Sequence, residues 1–536
     1  MFIFVDLIIK IKMKKHLIIA SAFIAMTSFA QKKQPANWQT LDPKADKVYG
    51  TGSEQAYKTL TGKSSKTVIV AVIDSGVEVD HEDLKDVIWV NKNEIPNNGI
   101  DDDKNGYIDD IHGWSFLGGK NGDINYEATE LARLYQRGTK KFKWMDTTNL
   151  SGQNAKDYEE YKKIKNEFLT EQSQQEQQLK SIDMIGDFLT KVKAQNNGVL
   201  SKDALKKYTP ANETEEQLKK GLKLAFTLGL EPKELETQIE EGGKMIRNMY
   251  KYNKLDSDSM RTYLVGDDVN NPNEKYYGCN RVEGPDALHG SHVAGIIAAM
   301  RGNNLGIEGI ANNVKIMAIR AVPNGDERDK DVANAIRYAV DNGATVINMS
   351  FGKYYSPDKK LVDEAVKYAQ SKDVLLIHAA GNESKDNDVE LSFPNREFGD
   401  GSVATNWIQV GASSYKGGKS LIGSFSNYGQ KKVDLFAPGV DIYSTIPDNK
   451  YISESGTSMA SPSTAGVAAL IRSYFPELKA EEVKVVMMKT VVPYKKSVTV
   501  PGSKKDKKKV AELCISGGFV NANNAVMELM GLNKKK

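Results

Sequence analysis

The stretch TVIVAVID, Thr67–Asp74, decides the fold. Six apolar residues, most of them β-branched, run without interruption up to a carboxylate. β-Branched side chains are stiff at χ1 and pack well on a pleated surface, so the run reads as a strand. No polar residue alternates along it, so neither face meets water. That is the pattern of a strand in a parallel sheet covered by helices on both sides. Comparable runs recur at VKIMAIRAV (Val314–Val322), ATVINMSFG (Ala344–Gly352), VLLIHAAGN (Val374–Asn382) and WIQVGAS (Trp407–Ser413). Helix-period segments lie between several of them, among them Asp329–Gly343 and Asp358–Gln370. Strand, helix and strand in succession predict right-handed crossovers and an α/β, doubly wound, mostly parallel sheet flanked by helices.

The rest of the chain is read outward from this core. Its 536 residues, 40% hydrophobic and 27% charged, match a soluble globular protein of one large core or two modest ones. With 73 Lys+Arg against 70 Asp+Glu the formal charge is only +3, which gives no electrostatic footprint for nucleic acid or an anionic membrane. From Met13 the sequence MKKHLIIASAFIAMTSFAQ has a basic start at Lys14 and Lys15, an apolar run and a small-residue end at Ser28 and Ala30. It reads as a secretory signal over 1–30, cut after Ala30, with Met13 as an alternative start. The run is shorter than the roughly 20 residues a spanning helix needs, so no stable membrane span is expected. The expected destination is outside the cytoplasm, periplasmic or secreted. There Cys279 and Cys514 can form a disulfide or remain two thiols.

The α/β pattern breaks between the first strand and the others. From about Glu127 to Asp258 the chain is rich in Lys, Glu and Gln, as in EQSQQEQQLK (Glu171–Lys180), while Leu218–Leu230 keeps an amphipathic period. The expected organisation is an N-terminal segment over 31–66, the sheet-bearing α/β domain over 67–126 and 259–532, and a mainly helical insertion over 127–258.

Three stretches carry chemistry. Asp74 ends the first strand, where parallel sheets place ligands. GPDALHGSHVAGIIAAM (Gly284–Met300) sets His289 just ahead of an Ala/Gly/Ile-rich helix. His292, three residues on, suggests a metal pair, but a zinc site needs a third protein ligand, and none is well placed nearby. SGTSMASPS (Ser455–Ser463) sets Ser458 before a helix read over Thr464–Tyr474, with Pro462 in or just before its first turn. Free N–H groups and the dipole at a helix entrance favour negative charge. A serine attacking a carbonyl there makes an oxyanion where it is stabilised. The stretch is not a G-x-S-x-G elbow, since Ala460 replaces the second glycine, and the order Asp, His, Ser excludes the α/β-hydrolase arrangement.

These residues resemble the subtilisin-like serine endopeptidases. The motifs are VIDSGVEVDHEDL (Val72–Leu84), HGSHVAGIIAA (His289–Ala299), AAGNE (Ala379–Glu383) and GTSMASPSTAGVAAL (Gly456–Leu470). The resemblance implies that Ser458 is the nucleophile, His289 its base and Asp74 the group that orients the imidazole. It implies that Asn382 donates to the oxyanion beside the Ser458 N–H. It also implies that Ser350, Phe351 and Gly352 bind an extended protein or peptide substrate by strand addition. Glu383 is expected to rim the primary specificity pocket. Ser291 stands where the family more often has threonine. Residues 31–66 are short for a folding-assisting propeptide, and the insertion, lying between acid and base, is expected to serve as a lid or exosite.

NNGIDDDKNGYIDD (Asn97–Asp110) is a second local signal. Asp101, Asp103, Asn105, the Tyr107 carbonyl and Asp109 occupy EF-hand-like positions, although His112 replaces the closing glutamate. The expectation is structural Ca2+, with no cofactor for catalysis. Asp83 matches a calcium-binding aspartate of some relatives, but a partner loop after Met300 is not legible. The leading reading is an exported serine endopeptidase. The alternative is a binding or chaperone-like protein on a protease scaffold, working through the insertion.

Overall fold

The computed structural model describes residues 34–227 and 229–532, so the signal expected over 1–30 lies outside the described residues. They fall into two compact units, one containing Leu131–Leu255 and the other built from Pro35–Glu130 and the chain from Asp256 onward.

In the second unit nine strands form one sheet. Their order is Val492–Pro493, Gly518–Phe519, Leu435–Pro438, Trp407–Ser413, Leu375–Ala379, Val346–Met349, Val68–Asp74, Val314–Arg320 and Gly113–Ser115. Every pairing is parallel except that of Val492–Pro493 with Gly518–Phe519 at one edge. The expected doubly wound α/β sheet is therefore present. Its physical basis is visible along the opening stretch. Val70 and Val72 point into one core with Ile296, Ile377, Val410 and Met459. Ala71 and Ile73 point into another, with Ile336, Val366, Leu376 and Trp407. One strand feeds two cores, and each buried Val or Ile contributes about 1.5–3 kcal/mol. The helices Leu288–Ala298 and Thr457–Tyr474 cover the first face, and Asp329–Asp341 and Lys359–Ser371 the second.

Sheet order also gathers the functional positions. Asp74 ends one strand, Ser350 follows the next, and Asn382 lies just beyond the one after that. Three neighbouring strand ends thus deliver three candidate residues to one edge, as parallel sheets do.

The unit containing Leu131–Leu255 is helical. Its helices include Gly152–Ala194, Lys202–Lys207, Glu213–Thr227 and Pro232–Tyr252, after Glu130–Phe142 at its start. Ile182, Phe188, Leu189 and Val192 of the 43-residue helix meet Leu222, Leu235 and Ile246 in a separate core. The Gln-rich run 171–180 lies within that helix, held by the apolar residues spaced around it. In the larger unit, Glu127 and Asp258 flank this segment and bond the same guanidinium: Arg328 Nε lies 3.2 Å from Glu127 and its Nη1 2.8 Å from Asp258.

Candidate active site

Asp74 is 2% exposed, and its Oδ1 lies 2.7 Å from His289 Nδ1. The Ser75 N–H donates to the same oxygen at 2.8 Å, so the carboxylate is oriented by its own turn. His289 is the second residue of the helix Leu288–Ala298 rather than a residue ahead of it. The next residue explains how the helix comes so close. A Cβ at Gly290 would stand 2.1 Å from Gly76 O and 3.1 Å from Asp74 Cβ, so only glycine permits this approach. Burial opposes a charged imidazole at position 289. The Asp74 carboxylate and its hydrogen bond, with Glu454 and Asp286 farther off, outweigh that and raise the pKa above the ordinary histidine value.

Ser458 sits in the first turn of a helix that runs Thr457–Tyr474, seven residues earlier than the sequence suggests. Pro462 is therefore inside the helix. It lacks the N–H that would bond the Ser458 carbonyl four residues back. Ser350 fills that gap, its Oγ donating to Ser458 O at 3.0 Å. Asn348 Nδ2 donates to the same hydroxyl at 2.9 Å, and Ser461 Oγ lies 2.7 Å from it. A side chain of the triplet expected to bind substrate thus caps the carbonyl that proline leaves open. The Ser458 hydroxyl itself donates to Ser350 O at 3.1 Å, not to His289.

Asn382 follows Gly381, which has φ +105°. Its Oδ1 accepts from Thr457 N at 2.8 Å and from Thr457 Oγ1 at 3.0 Å. Both hydrogen bonds fall on the oxygen, so Nδ2 is the end of the carboxamide left for a ligand. Thr457, unremarked in the sequence reading, is the residue that selects this orientation; its only signal was adjacency to Ser458. Glu383 is half-buried beside Asn382. Its Oε2 is turned inward, accepting from Asn382 N and from Asn427 Nδ2, both at 2.9 Å. The Phe351 ring packs near His378, whose imidazole is buried and pushed down to about 4 by loss of solvent. A Cβ at Gly352 would stand 3.2 Å from Phe393 O.

His292 is structural. Its Nε2 lies 3.2 Å from Ile452 O, and burial, with His289 nearby, depresses its pKa to about 3. Ser291 keeps a hydroxyl role, accepting from Glu78 N at 2.9 Å. Cys279 and Cys514 are both free, and burial raises the Cys514 thiol to about 11.

In the acidic loop, carboxylate oxygens of Glu94, Asp101 and Asp103 lie within 4.8 Å of one another. Three hard oxygen donors at that spacing fit Ca2+. Glu94 was missed because it precedes the loop pattern by seven residues. Asp109 and Asn105 serve the turns of the loop, as Asp101 and Asp103 also do in accepting from Asn105 N at 3.0 Å each. The Asp109 carboxylate accepts from Asn98 N at 3.1 Å and Gly99 N at 2.9 Å. Asn105 Oδ1 accepts from Tyr107 N at 2.8 Å. The Tyr107 ring is buried against Trp114 and Tyr338. Asp83 is buried and accepts from Asn303 Nδ2 at 2.7 Å, so the stretch after Met300 does reach it.

Fold and site together define a class, an α/β protein of subtilisin type. The Subtilase family pattern matches residues 65–514, and the chain belongs to the subtilase family. It is 45% identical over 186 residues to a thermophilic serine proteinase of Bacillus sp. (strain AK1), across 34% of this chain and 42% of that protein. It is 41% identical over 186 residues to thermitase of Thermoactinomyces vulgaris, across 34% of this chain and 61% of that protein. It is 37% identical over 198 residues to subtilisin DY of Bacillus licheniformis, across 37% of this chain and 67% of that protein. The chain thus spans roughly half the length of the curated relatives it matches.

Proposed function

We propose that this protein is an exported serine endopeptidase that hydrolyses peptide bonds of proteins and peptides through an acyl-enzyme. The observation that carries the reading is the 2.7 Å contact of His289 Nδ1 with buried Asp74, on a helix that shares a core with the helix whose first turn holds Ser458. A substrate strand laid along Ser350–Gly352 presents an N–H to Ser350 O. That N–H competes with the Ser458 hydroxyl for the carbonyl and releases the hydroxyl toward His289 Nε2. His289 takes the Ser458 proton as Oγ bonds to the substrate carbonyl carbon. Negative charge moves to the carbonyl oxygen, which Asn382 Nδ2 and the Ser458 N–H receive. As the C–N bond breaks, His289 returns the proton to the leaving amine. Water, deprotonated by His289, then attacks the ester and restores Ser458. Asp74 holds the tautomer and stabilises the imidazolium.

Glu94, Asp101 and Asp103 would hold a structural Ca2+, whose charge offsets their mutual repulsion. No step of the reaction involves it. Among the described residues no helix is long and apolar enough to cross a membrane. The test is labelling with a fluorophosphonate probe. Label on the parent and none on Ser458→Ala supports the reading. No label on folded parent protein would overturn it in favour of a binding protein on this scaffold.

A further inference from the structure

The direction of Asn382 is set by residues other than itself. One end of its side chain is held by Thr457; the backbone that carries it is held by Asn427. Asn427 is 1% exposed. Its Nδ2 donates to Ala380 O at 3.0 Å and to Glu383 Oε2 at 2.9 Å. Its Oδ1 accepts from Glu383 N at 3.0 Å and from Lys385 N at 2.8 Å. Its own N–H donates to Gly381 O at 2.8 Å. The full hydrogen-bonding capacity of one buried carboxamide is thus used on the segment Ala380–Lys385. The closeness is built in: a Cβ at Gly381 would stand 2.3 Å from Asn427 Nδ2. Glu383 passes the hold on, since the carboxylate oxygen that accepts from Asn427 also accepts from Asn382 N at 2.9 Å.

We propose that Asn427 is a positioning residue for the oxyanion donor. It fixes the backbone on either side of Asn382 while Thr457 fixes the carboxamide oxygen, so Nδ2 is aimed before substrate arrives. Preorganised donors stabilise developing charge because they need not reorient during the reaction, and small displacements forfeit that advantage. The inference rests on the endopeptidase reading, with Ser458 as nucleophile and Asn382 as donor.

The isosteric variant Asn427→Asp keeps the shape of the side chain and replaces its amide donor with oxygen facing Ala380 O and Glu383. With peptide p-nitroanilides, it lowers kcat by about 10–100-fold while KM changes by less than about threefold. In an Asn382→Ala background the same substitution changes kcat by less than about threefold, because the donor it aims is already gone. Equal losses in both backgrounds, or a loss carried by KM, would overturn the proposal. If Asn427→Asp does not fold, Glu383→Ala enters the same cycle, since it removes the shared acceptor from a half-buried position. It shows the same pattern, with a loss in kcat of about 3–10-fold. Fluorophosphonate labelling of the parent separates the two failures: an unlabelled parent removes the endopeptidase reading and this inference with it.

Discussion

Replacing Ser350 by alanine tests the most unusual local arrangement in the site, a serine of one strand end substituting for an amide missing from a helix. The substitution leaves Ser458 O without the 3.0 Å donor that replaces the absent Pro462 N–H, and leaves Asn348 Nδ2 without its 2.9 Å acceptor. Ser350 is 5% exposed, so water does not readily take over either role. A buried polar group stripped of its partner costs about 1–3 kcal/mol, so the two together destabilise by about 2–6 kcal/mol. The measurement is urea unfolding in a Ser458→Ala background, which prevents self-digestion. The cause is isolated by adding Pro462→Ala, which restores an N–H at the position from which Ser458 O is normally bonded. In that background Ser350→Ala costs about 1–2 kcal/mol less than in its absence. A cycle that closes to within about 0.3 kcal/mol would refute the compensation, however large the single effect.

Three further outcomes follow from the geometry. The acid limb of kcat/KM reports His289, so its midpoint lies above about 6.5 and moves lower in Glu454→Gln, which removes one of the charges favouring the imidazolium. A limb that does not move would exclude that charge from the site's electrostatics. Glu327 is 2% exposed, and burial raises its carboxyl to about 8 against the pull of Lys353. A raised acid pKa means the native state binds the extra proton between about 4.5 and 8, so stability falls as pH rises through that window. The fall is on the order of a few kcal/mol, and Glu327→Gln flattens it in unfolding experiments at pH 5 and pH 9. For the acidic loop, chelation of Ca2+ lowers the thermal midpoint of the parent. Glu94→Gln loses more of that calcium-dependent stabilisation than Asp109→Asn, and the reverse order would return the ligand set to the EF-hand-like pattern.

The sheet was legible where strands are buried on both faces and long enough to show it. Trp407–Ser413 begins and ends where its apolar run does, and Val314–Arg320 differs only at its end. Leu435–Pro438 and Gly518–Phe519 escaped because two to four residues carry no period, and their pairing comes from neighbours distant in sequence. The helix carrying Ser458 was placed late because Pro462 reads as a first-turn residue. Its tolerance in the interior depends on Ser350, which lies 108 residues away from Ser458. Asp74, His289 and Ser458 stood out because each lies in a local motif. Thr457, Asn427 and Glu94 make contacts that no local pattern encodes. The inward bonds of Glu383 were hidden for the same reason, its carboxylate facing a partner 44 residues away.

Arg328 has a consequence for how this chain accommodates its helical unit. Because Glu127 and Asp258 meet on one guanidinium, the polypeptide leaves the sheet-bearing unit and returns to it at almost the same point. The entropy of closing a loop depends on bringing its ends together, and grows only slowly with what lies between them. A segment whose ends are already joined is therefore close to modular. Changes in its length leave those two points where they are, and a short linker between them is expected to keep the sheet intact. Arg328 works as a hem, closing the fabric wherever a piece is let in or taken out.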